Sequence, residues 1–384
     1  MNLARLLSRC KPVAKINSTS SSSSSSIACT SFFLPGQRRS YTSSSTPATT
    51  AEFVSAVTFL PHPDKGEHGE DAYFITDNNQ VAGVADGVGG WVEMGIDAGA
   101  FSRELMGGAE KFAINENSLD PYAMLNSAYF STTALGTCTA CIIALDGKEL
   151  RAINVGDSGF SILRRQTESH KDKNELNDDP PHWALFFQTT EQVHFFNCPM
   201  QLGTNSKDSP SDGQQFNLPM EHGDIVILAT DGLIDNLFTA ELIQVSVDVV
   251  WYIHVDCENR SRGARTVFWQ VLLISFLTVV SNLFLLSFSP YFGSLDKKMM
   301  HTFEYDWCIE NQLEPTLDSF NDMWQDKAAI TAFANHLGAR TQELAHDAVR
   351  RSPFTVNAAT AGYTHVGGKL DDITCIVAAV NCSE

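Results

Sequence analysis

The sequence lacks the closely spaced cysteines of a disulfide-stabilised secreted domain. Its nine cysteines are scattered over 384 residues, and their number is odd. This pattern favours a reducing compartment. Cys138 and Cys141 form a C-x-x-C within an apolar run. Residues three apart on a strand point to opposite faces, so we expect neither a redox pair nor a zinc site there.

Acidic residues are absent before Glu52. The segment 1–51 has six Lys and Arg residues, long Ser runs and three leucines on one helical face. This composition is typical of an organellar transit peptide followed by a Ser-rich linker. Arg38 and Arg39 resemble a mitochondrial processing site, so we predict a mitochondrial protein, most simply of the matrix. The Ser run leaves a plastid location open, and a plain disordered tail is a third alternative.

Positive charge is scarce in the remainder, 52–384, which has 20 Lys and Arg residues against 45 Asp and Glu residues. A net charge of −25 repels nucleic acid and anionic membranes, so we expect no nucleic-acid partner. An acidic balance also suits a protein that gathers carboxylates around divalent cations. Charge alone does not distinguish such a site from an ordinary solvated surface.

Acidic residues recur where short apolar strands begin or end. An Asp at the end of a buried strand is held on a rigid scaffold, and a following Gly lets the backbone turn tightly and approach a ligand. A single Asp-Gly usually marks only a turn, but four strand-end sites in one chain predict a functional site. Such oxygen ligands favour Mg²⁺ or Mn²⁺. The four sites are Glu70-Asp71, Asp86-Gly87, Asp231-Gly232 and Asp371-Asp372.

In this order the motifs resemble those of the metal-dependent protein phosphatases of type 2C, over about 67–380. The resemblance also includes Gly136-Thr137 and the Gly-Asp-Ser turn at Asp157. Two stretches, VADGVGGW at 84–91 and EQVHFFNCPMQL at 191–202, further resemble the mitochondrial branch related to the T-cell-activation phosphatases. That branch agrees with the transit-peptide composition of the first 51 residues.

The resemblance implies an α+β fold, in which two antiparallel β-sheets pack as a sandwich flanked by helices and the metals lie at one edge. The phosphatase domain would cover 52–384. Helix-like periodicity over 101–112, 120–129 and 328–350 is compatible with such outer helices.

The resemblance also implies a protein serine/threonine phosphatase, in which water activated by two metal ions attacks phosphoserine or phosphothreonine. The cofactors would be two Mn²⁺ or Mg²⁺ ions, with a third at a weaker position formed by Asp157 and Asp231. A simple hairpin turn explains Asp157 equally well. The partners would be phosphorylated mitochondrial proteins. The implied catalytic residues are Asp86, Asp231 and Asp371, and the implied metal ligands are Glu70, Asp71, Asp86, the Gly87 carbonyl, Asp157, Asp231 and Asp371.

Two positions depart from the family pattern. Val88 replaces the His that follows the Asp-Gly in many members, which leaves the general acid unidentified. The Arg that usually contacts the substrate phosphate is absent, and Lys65 or His68 is the candidate replacement. An exposed Lys or His on a loop is, however, more often only solvated.

An insertion at about 246–317 interrupts the predicted domain. Within it, 267–288 has no charged residue, is long enough to cross a bilayer and is flanked by basic residues. A single crossing would separate Asp231 from Asp371, which the resemblance assigns to one metal ion. We therefore favour a foreign insertion, such as a translated intron or a lineage-specific loop, over a membrane-dipping hairpin or surface anchor. A true single span is the least favoured alternative.

The runner-up function is a catalytically impaired, phosphatase-like binding or membrane-tethered protein, in which the insertion prevents completion of the metal site. Retention of all the acidic motifs favours the enzyme. The sequence leaves the physiological substrate, the preferred metal and the oligomeric state open.

Overall fold

A computed structural model of the chain describes residues 51–66, 68–166, 182–243, 304, 307–308, 311, 313 and 317–382. All of these belong to one compact unit, Pro47–Glu384. The predicted transit peptide lies outside the described residues apart from Ala51, and so does the apolar run 267–288. No helix among the described residues is long and apolar enough to cross a membrane.

Two antiparallel five-stranded sheets form the centre of the described fold. The first has the order β1 (Ala51–Leu60), β14 (Ile373–Cys382), β13 (Ile225–Ala229), β7 (Gly159–Gln166) and β8 (His182–Gln188). The second has the order β12 (Gln214–Pro219), β6 (Glu149–Val155), β5 (Ala140–Asp146), β3 (Val81–Ala85) and β2 (Ala72–Ile75). Two short ribbons pair β4 (Thr137–Cys138) with β11 (Leu202–Gly203) and β9 (Val193–Phe195) with β10 (Cys198–Pro199).

The two sheets pack face to face around a buried layer that includes Phe53, Val84, Ile143 and Ile376. Strand β13 and the first eight residues of β14 are buried throughout, since their outer faces are covered as well. Burial of both faces explains why these strands are continuous apolar runs in the sequence.

Helices cover the outer face of each sheet. α1 (Ala98–Asn115) and α2 (Pro121–Ser131) pack on the second sheet, and α6 (Lys327–Ala345) packs on the first. Asp97, Asp120 and Asp326 cap the N-termini of these three helices by accepting a hydrogen bond from a first-turn amide. The shorter helices are α3 (Asp231–Ile234), α4 (Thr239–Ile243), α5 (Leu317–Met323) and α7 (Pro353–Thr360).

This architecture confirms the expected α+β sandwich with outer helices. The three predicted helices are present, but the last ends at Ala345 rather than near position 350. The Asp347 carboxylate accepts hydrogen bonds from the amides of Val349 and Arg350 at 2.9 and 3.1 Å. These side-chain bonds offer the amides an alternative to helical hydrogen bonds and so favour an end to the helix.

Part of the predicted insertion at 246–317 belongs to the packed domain. Glu304 and Cys308 are buried. Glu304 Oε1 accepts hydrogen bonds from the indole nitrogens of Trp183 at 3.2 Å and Trp324 at 2.6 Å. A buried carboxylate with these partners is a component of the core, while the predicted boundary at 317 stays a prediction. The positions before 304 in the predicted insertion lie outside the described residues.

Candidate functional site

The predicted acidic motifs meet at one edge of the sandwich because of the way the strands pair. β2 begins where its partner β3 ends, so Asp71 and Asp86 lie at the same end of the second sheet. β14 and β7 both begin where β13 ends, so Asp371, Asp157 and Asp231 lie together at an end of the first sheet. Sheet pairing therefore gathers residues that are far apart in the sequence.

Asp71 joins the two sheets at this edge. It is buried, and its Oδ2 accepts hydrogen bonds from the hydroxyls of Thr230, directly after β13, at 2.8 Å and of Thr374, in β14, at 2.6 Å. Its Oδ1 is buried and has no hydrogen-bond donor among the described residues. One carboxylate oxygen thus fixes the side chain, and the other is available to a cation.

The carboxylates at this edge repel one another. Desolvation raises the pKa of Asp86, and the carboxylates of Asp231, Asp71 and Asp371 raise it further. Desolvation likewise raises the pKa of Asp157, followed by the effect of Asp231. A cation among these groups would relieve the repulsion, because an opposite charge favours the ionised form of a carboxyl group.

Lys369 places an ammonium group between three of the carboxylates. Its Nζ contacts Asp231, lies 2.8 Å from Asp235 Oδ2 and lies 3.5 Å from Asp371 Oδ2. Burial acts to raise the pKa of Asp371, but Lys369 and then Lys65 hold it below its usual value. Asp371 therefore stays ionised and pairs with both lysines.

Lys65, a predicted phosphate contact, reaches the same cluster from the loop after β1. Its Nζ lies 2.6 Å from Glu70 Oε2, 2.5 Å from Asp371 Oδ1 and 3.3 Å from Asp372 Oδ2. His68, the other predicted contact, is exposed. Of the two candidates, Lys65 therefore lies at the acidic edge, where ion pairs hold its ammonium group.

The donor atoms at this edge fit hard divalent cations. Oδ1 of Asp71, Asp157 and Asp231 is in each case buried and without a hydrogen-bond donor among the described residues. All these donors are carboxylate oxygens, which Mg²⁺ and Mn²⁺ prefer. In the described part of the chain, no group of three Asp, Glu, His or Cys side chains is arranged closely enough to hold a metal ion. Instead, the ammonium groups of Lys65 and Lys369 lie between the carboxylates. Bound cations would therefore compete with these two lysines.

Gly87 and Gly232, which follow two of the aspartates, are required by close backbone packing. A Cβ at Gly87 would lie 2.5 Å from the carbonyl oxygen of Ala98 and 2.6 Å from that of Glu70. A Cβ at Gly232 would lie 1.9 Å from the carbonyl oxygen of Asp372. The Asp-Gly pairs thus bring the site backbone together, while metal ligation by the Gly87 carbonyl stays a prediction.

Asp372 positions the loop that carries the first acidic pair. Its carboxylate accepts hydrogen bonds from the backbone N–H of His62 at 2.6 Å and of Glu70 at 2.8 Å. A Cβ at Gly69, whose φ is 55°, would lie 2.7 Å from this carboxylate. The second Asp of the Asp371-Asp372 pair is therefore a positioning residue for the loop.

Sequence reasoning missed Lys369 and Asp235. Burial raises the pKa of Asp235 to about 7 in spite of the pairing with Lys369. Asp235 follows Asp231 by one helical turn, and Lys369 precedes Asp371 by two residues. The helical spacing is a signal that could have identified Asp235, because residues four apart on a helix share a face.

Cys138 and Cys141 are buried in different layers of the fold. Cys138 packs beneath the helices on the second sheet, and Cys141 packs between the sheets. The strand geometry thus separates the two thiols, as the sequence spacing predicts.

The chain is similar to several proteins named as phosphatases. It is 34% identical over 354 residues to "Probable protein phosphatase 2C 80" of Arabidopsis thaliana, and this match covers 91% of this chain and 63% of that protein. It is 36% identical over 196 residues to "Protein phosphatase PTC7 homolog fig" of Drosophila virilis, and this match covers 46% of this chain and 57% of that protein. The chain thus spans less than two thirds of the length of these relatives. No family model matches it.

The fold is also similar to that of a solved structure, the X-ray structure of the photosystem II phosphatase PBCP. The TM-score is 0.55 and the sequence identity 24%, and the match covers 87% of this chain and 99% of that chain. At this identity the likeness establishes the fold alone.

Proposed function

Because the chain belongs to the protein phosphatase 2C family, we propose that it hydrolyses phosphoserine and phosphothreonine in proteins, with Mn²⁺ or Mg²⁺ as cofactors. One observation carries this proposal. Asp231 and Asp371, which lie on either side of the predicted insertion in the sequence, both pair with the ammonium group of Lys369. Both carboxylates also act on Asp86 of the other sheet. The alternative of an impaired binding protein is not favoured, because the second half of the chain reaches the acidic cluster.

The proposed chemistry follows from the positions of the side chains. Bound divalent ions would supply Lewis acidity that activates water and offsets the charge of the phosphoryl group. Asp86, Asp231 and Asp371 would hold these ions, and Asp157 with Asp231 would form the weaker third position. Lys65 would bind a phosphate oxygen once cations replace its contacts with the carboxylates.

Hydrolysis of p-nitrophenyl phosphate and of a phosphothreonine peptide by the purified chain tests this function. We expect both reactions to require Mn²⁺ or Mg²⁺. A folded protein that hydrolyses neither substrate with either metal would contradict the proposal.

We further propose that the substrates are phosphorylated mitochondrial proteins. The acid-free segment 1–51 and the resemblance of 84–91 and 191–202 to the mitochondrial branch support this location. A fusion of residues 1–51 to a fluorescent protein, expressed in plant cells, distinguishes mitochondria from plastids. Fluorescence in plastids or cytosol would contradict the mitochondrial location.

Membrane binding by the apolar segment 267–288 is a separate prediction. Alkaline extraction of organelle membranes tests it.

A further inference from the structure

A hollow of about 280 Å³ opens beside the acidic edge. Asp231 and Asp235 belong both to its lining and to the carboxylate cluster, and the side chains of Phe196 and Phe354 also line it. Its volume lies just below the range of about 300–1,000 Å³ that is typical of ligand pockets. The hollow is therefore suited to one side chain of a larger substrate.

The aromatic part of the hollow is fixed by packing. The ring centroids of Phe196 and Phe354 are 5.1 Å apart, and Tyr363 stacks on Phe196 at 5.2 Å. Phe196 lies in the tight turn between β9 and β10, where Asn197 has a φ of 55°. The amide of Phe354 donates a hydrogen bond to the carbonyl of Asp235 at 3.0 Å, which ties the ring to the acidic edge. The ammonium group of Lys369 lies 5.2 Å from the centre of the Phe354 ring, so the two rings are already held in place before any substrate binds.

Glu191 supplies a negative charge that the proposed metal site does not use. Asp231 is a proposed metal ligand, and Asp235 pairs with Lys369. Glu191 lies at the exposed rim, where its Oε1 accepts a hydrogen bond from Asn357 Nδ2 at 3.2 Å. Desolvation raises the pKa of Glu191 and the Asp231 carboxylate raises it further, whereas Lys369 and the hydrogen bond from Asn357 lower it.

We propose that this hollow binds the arginine or lysine side chain of a residue that neighbours the phosphorylated one in the substrate. Glu191 would accept charge-assisted hydrogen bonds from the cation, and the rings of Phe196 and Phe354 would pack against the aliphatic part of the side chain. A neutral neighbour lacks the ion pair, and an acidic neighbour is repelled. The inference rests on the proposed function, since the adjoining phosphatase centre makes the hollow a substrate subsite.

A pair of phosphothreonine peptides tests the inference. One peptide has arginine beside the phosphothreonine and the other has citrulline, which has nearly the shape of arginine without its charge. With the full chain and Mn²⁺ we expect kcat/KM to be about fivefold higher for the arginine peptide. Glu191→Gln, which keeps an acceptor for Asn357, should bring the ratio to about one. Glu116→Gln removes the same charge at the exposed end of α1 and should keep the ratio. Equal rates with the unsubstituted chain, or an unchanged ratio in Glu191→Gln, would overturn the inference.

Binding of the same peptides, labelled for fluorescence anisotropy, separates this inference from the phosphatase function. It is measured with Mn²⁺ on the Asp86→Asn variant, with and without Glu191→Gln. Tighter binding of the arginine peptide that disappears with Glu191→Gln supports the subsite even if the chain hydrolyses nothing. Hydrolysis of p-nitrophenyl phosphate without any discrimination between the peptides would retain the phosphatase function and refute the subsite.

Discussion

The ammonium group of Lys65 lies 2.5 Å from Oδ1 of Asp371, although the two residues are 306 positions apart in the sequence. The antiparallel pairing of β1 with β14, with Leu60 opposite Ile373, brings the two loops together. Ion pairs between the beginning and the end of the domain therefore hold the acidic edge together, and cations that bind there must replace them.

Metal dependence is the first prediction. We expect hydrolysis to require Mn²⁺ or Mg²⁺ and to stop in excess chelator, because the proposed ligands are hard oxygens. The metal should also raise the thermal unfolding midpoint, since a ligand of the native state at about 100 times its Kd adds about 2.7 kcal/mol to the free energy of unfolding. Calorimetry with Mn²⁺ and with chelator measures the shift. Full turnover in chelator would contradict the prediction.

Asp86→Asn and Asp231→Asn should both lower turnover by about a hundredfold or more, since each removes a proposed metal ligand. Their effects on the metal-free protein should differ in sign. Asp86 is repelled by its neighbours, so its neutralisation should raise the free energy of unfolding. Asp231 pairs with Lys369, so its neutralisation should lower it. Urea unfolding in chelator measures both effects, and equal shifts would contradict the electrostatic description.

Lys369→Met should destabilise the metal-free protein by about 3 kcal/mol, because it leaves buried carboxylates without their cation. Mn²⁺ should restore most of this loss, because it supplies positive charge to the same carboxylates. Lys111→Met, at an exposed position of α1, is the control and should change the stability little. Urea unfolding with and without Mn²⁺ measures the difference. A Lys369→Met protein as stable in chelator as the control would show that the ion pairs contribute little.

Two deletions test the boundary of the predicted insertion. Removal of 246–300 should keep solubility and metal-dependent activity, since all the predicted ligands lie outside it and a long surface insertion costs little closure entropy. Removal of 246–317 also deletes Glu304 and Cys308 from the core and should leave less stable or unfolded protein. Thermal unfolding and Mn²⁺-dependent hydrolysis of both proteins give the comparison. An unfolded 246–300 deletion would overturn the insertion hypothesis.

Gly232→Ala should destabilise the protein and reduce activity, because the added Cβ would meet the carbonyl oxygen of Asp372. We expect a loss of at least about 2 kcal/mol, as for other overpacked positions. Gly107→Ala within α1 has open space around its Cβ and should stabilise the protein by about 0.5–1 kcal/mol. Chemical denaturation of the pair distinguishes the clash from a general effect of alanine. A stable, fully active Gly232→Ala protein would contradict the close packing.

Local patterns in the sequence determined the strand-end aspartates and the outer helices, and the α+β class followed from the resemblance of the ordered motifs to a known family. Asp86 and Asp231 could be recognised because an apolar run, an Asp and a Gly are adjacent in the chain. The spacing of apolar residues likewise identified the helix that became α6, although not its end, which depends on the side chain of Asp347.

Only the tertiary structure decided which residues meet across the sheets. Lys369 contacts Asp231 from 138 positions away, and Glu304 contacts Trp183 from 121 positions away. The rings of Phe196 and Phe354 likewise come from distant segments. Local periodicity in the sequence does not predict these contacts, because they depend on the order of the strands in the sheets. The buried charges find their partners only when the fold is complete.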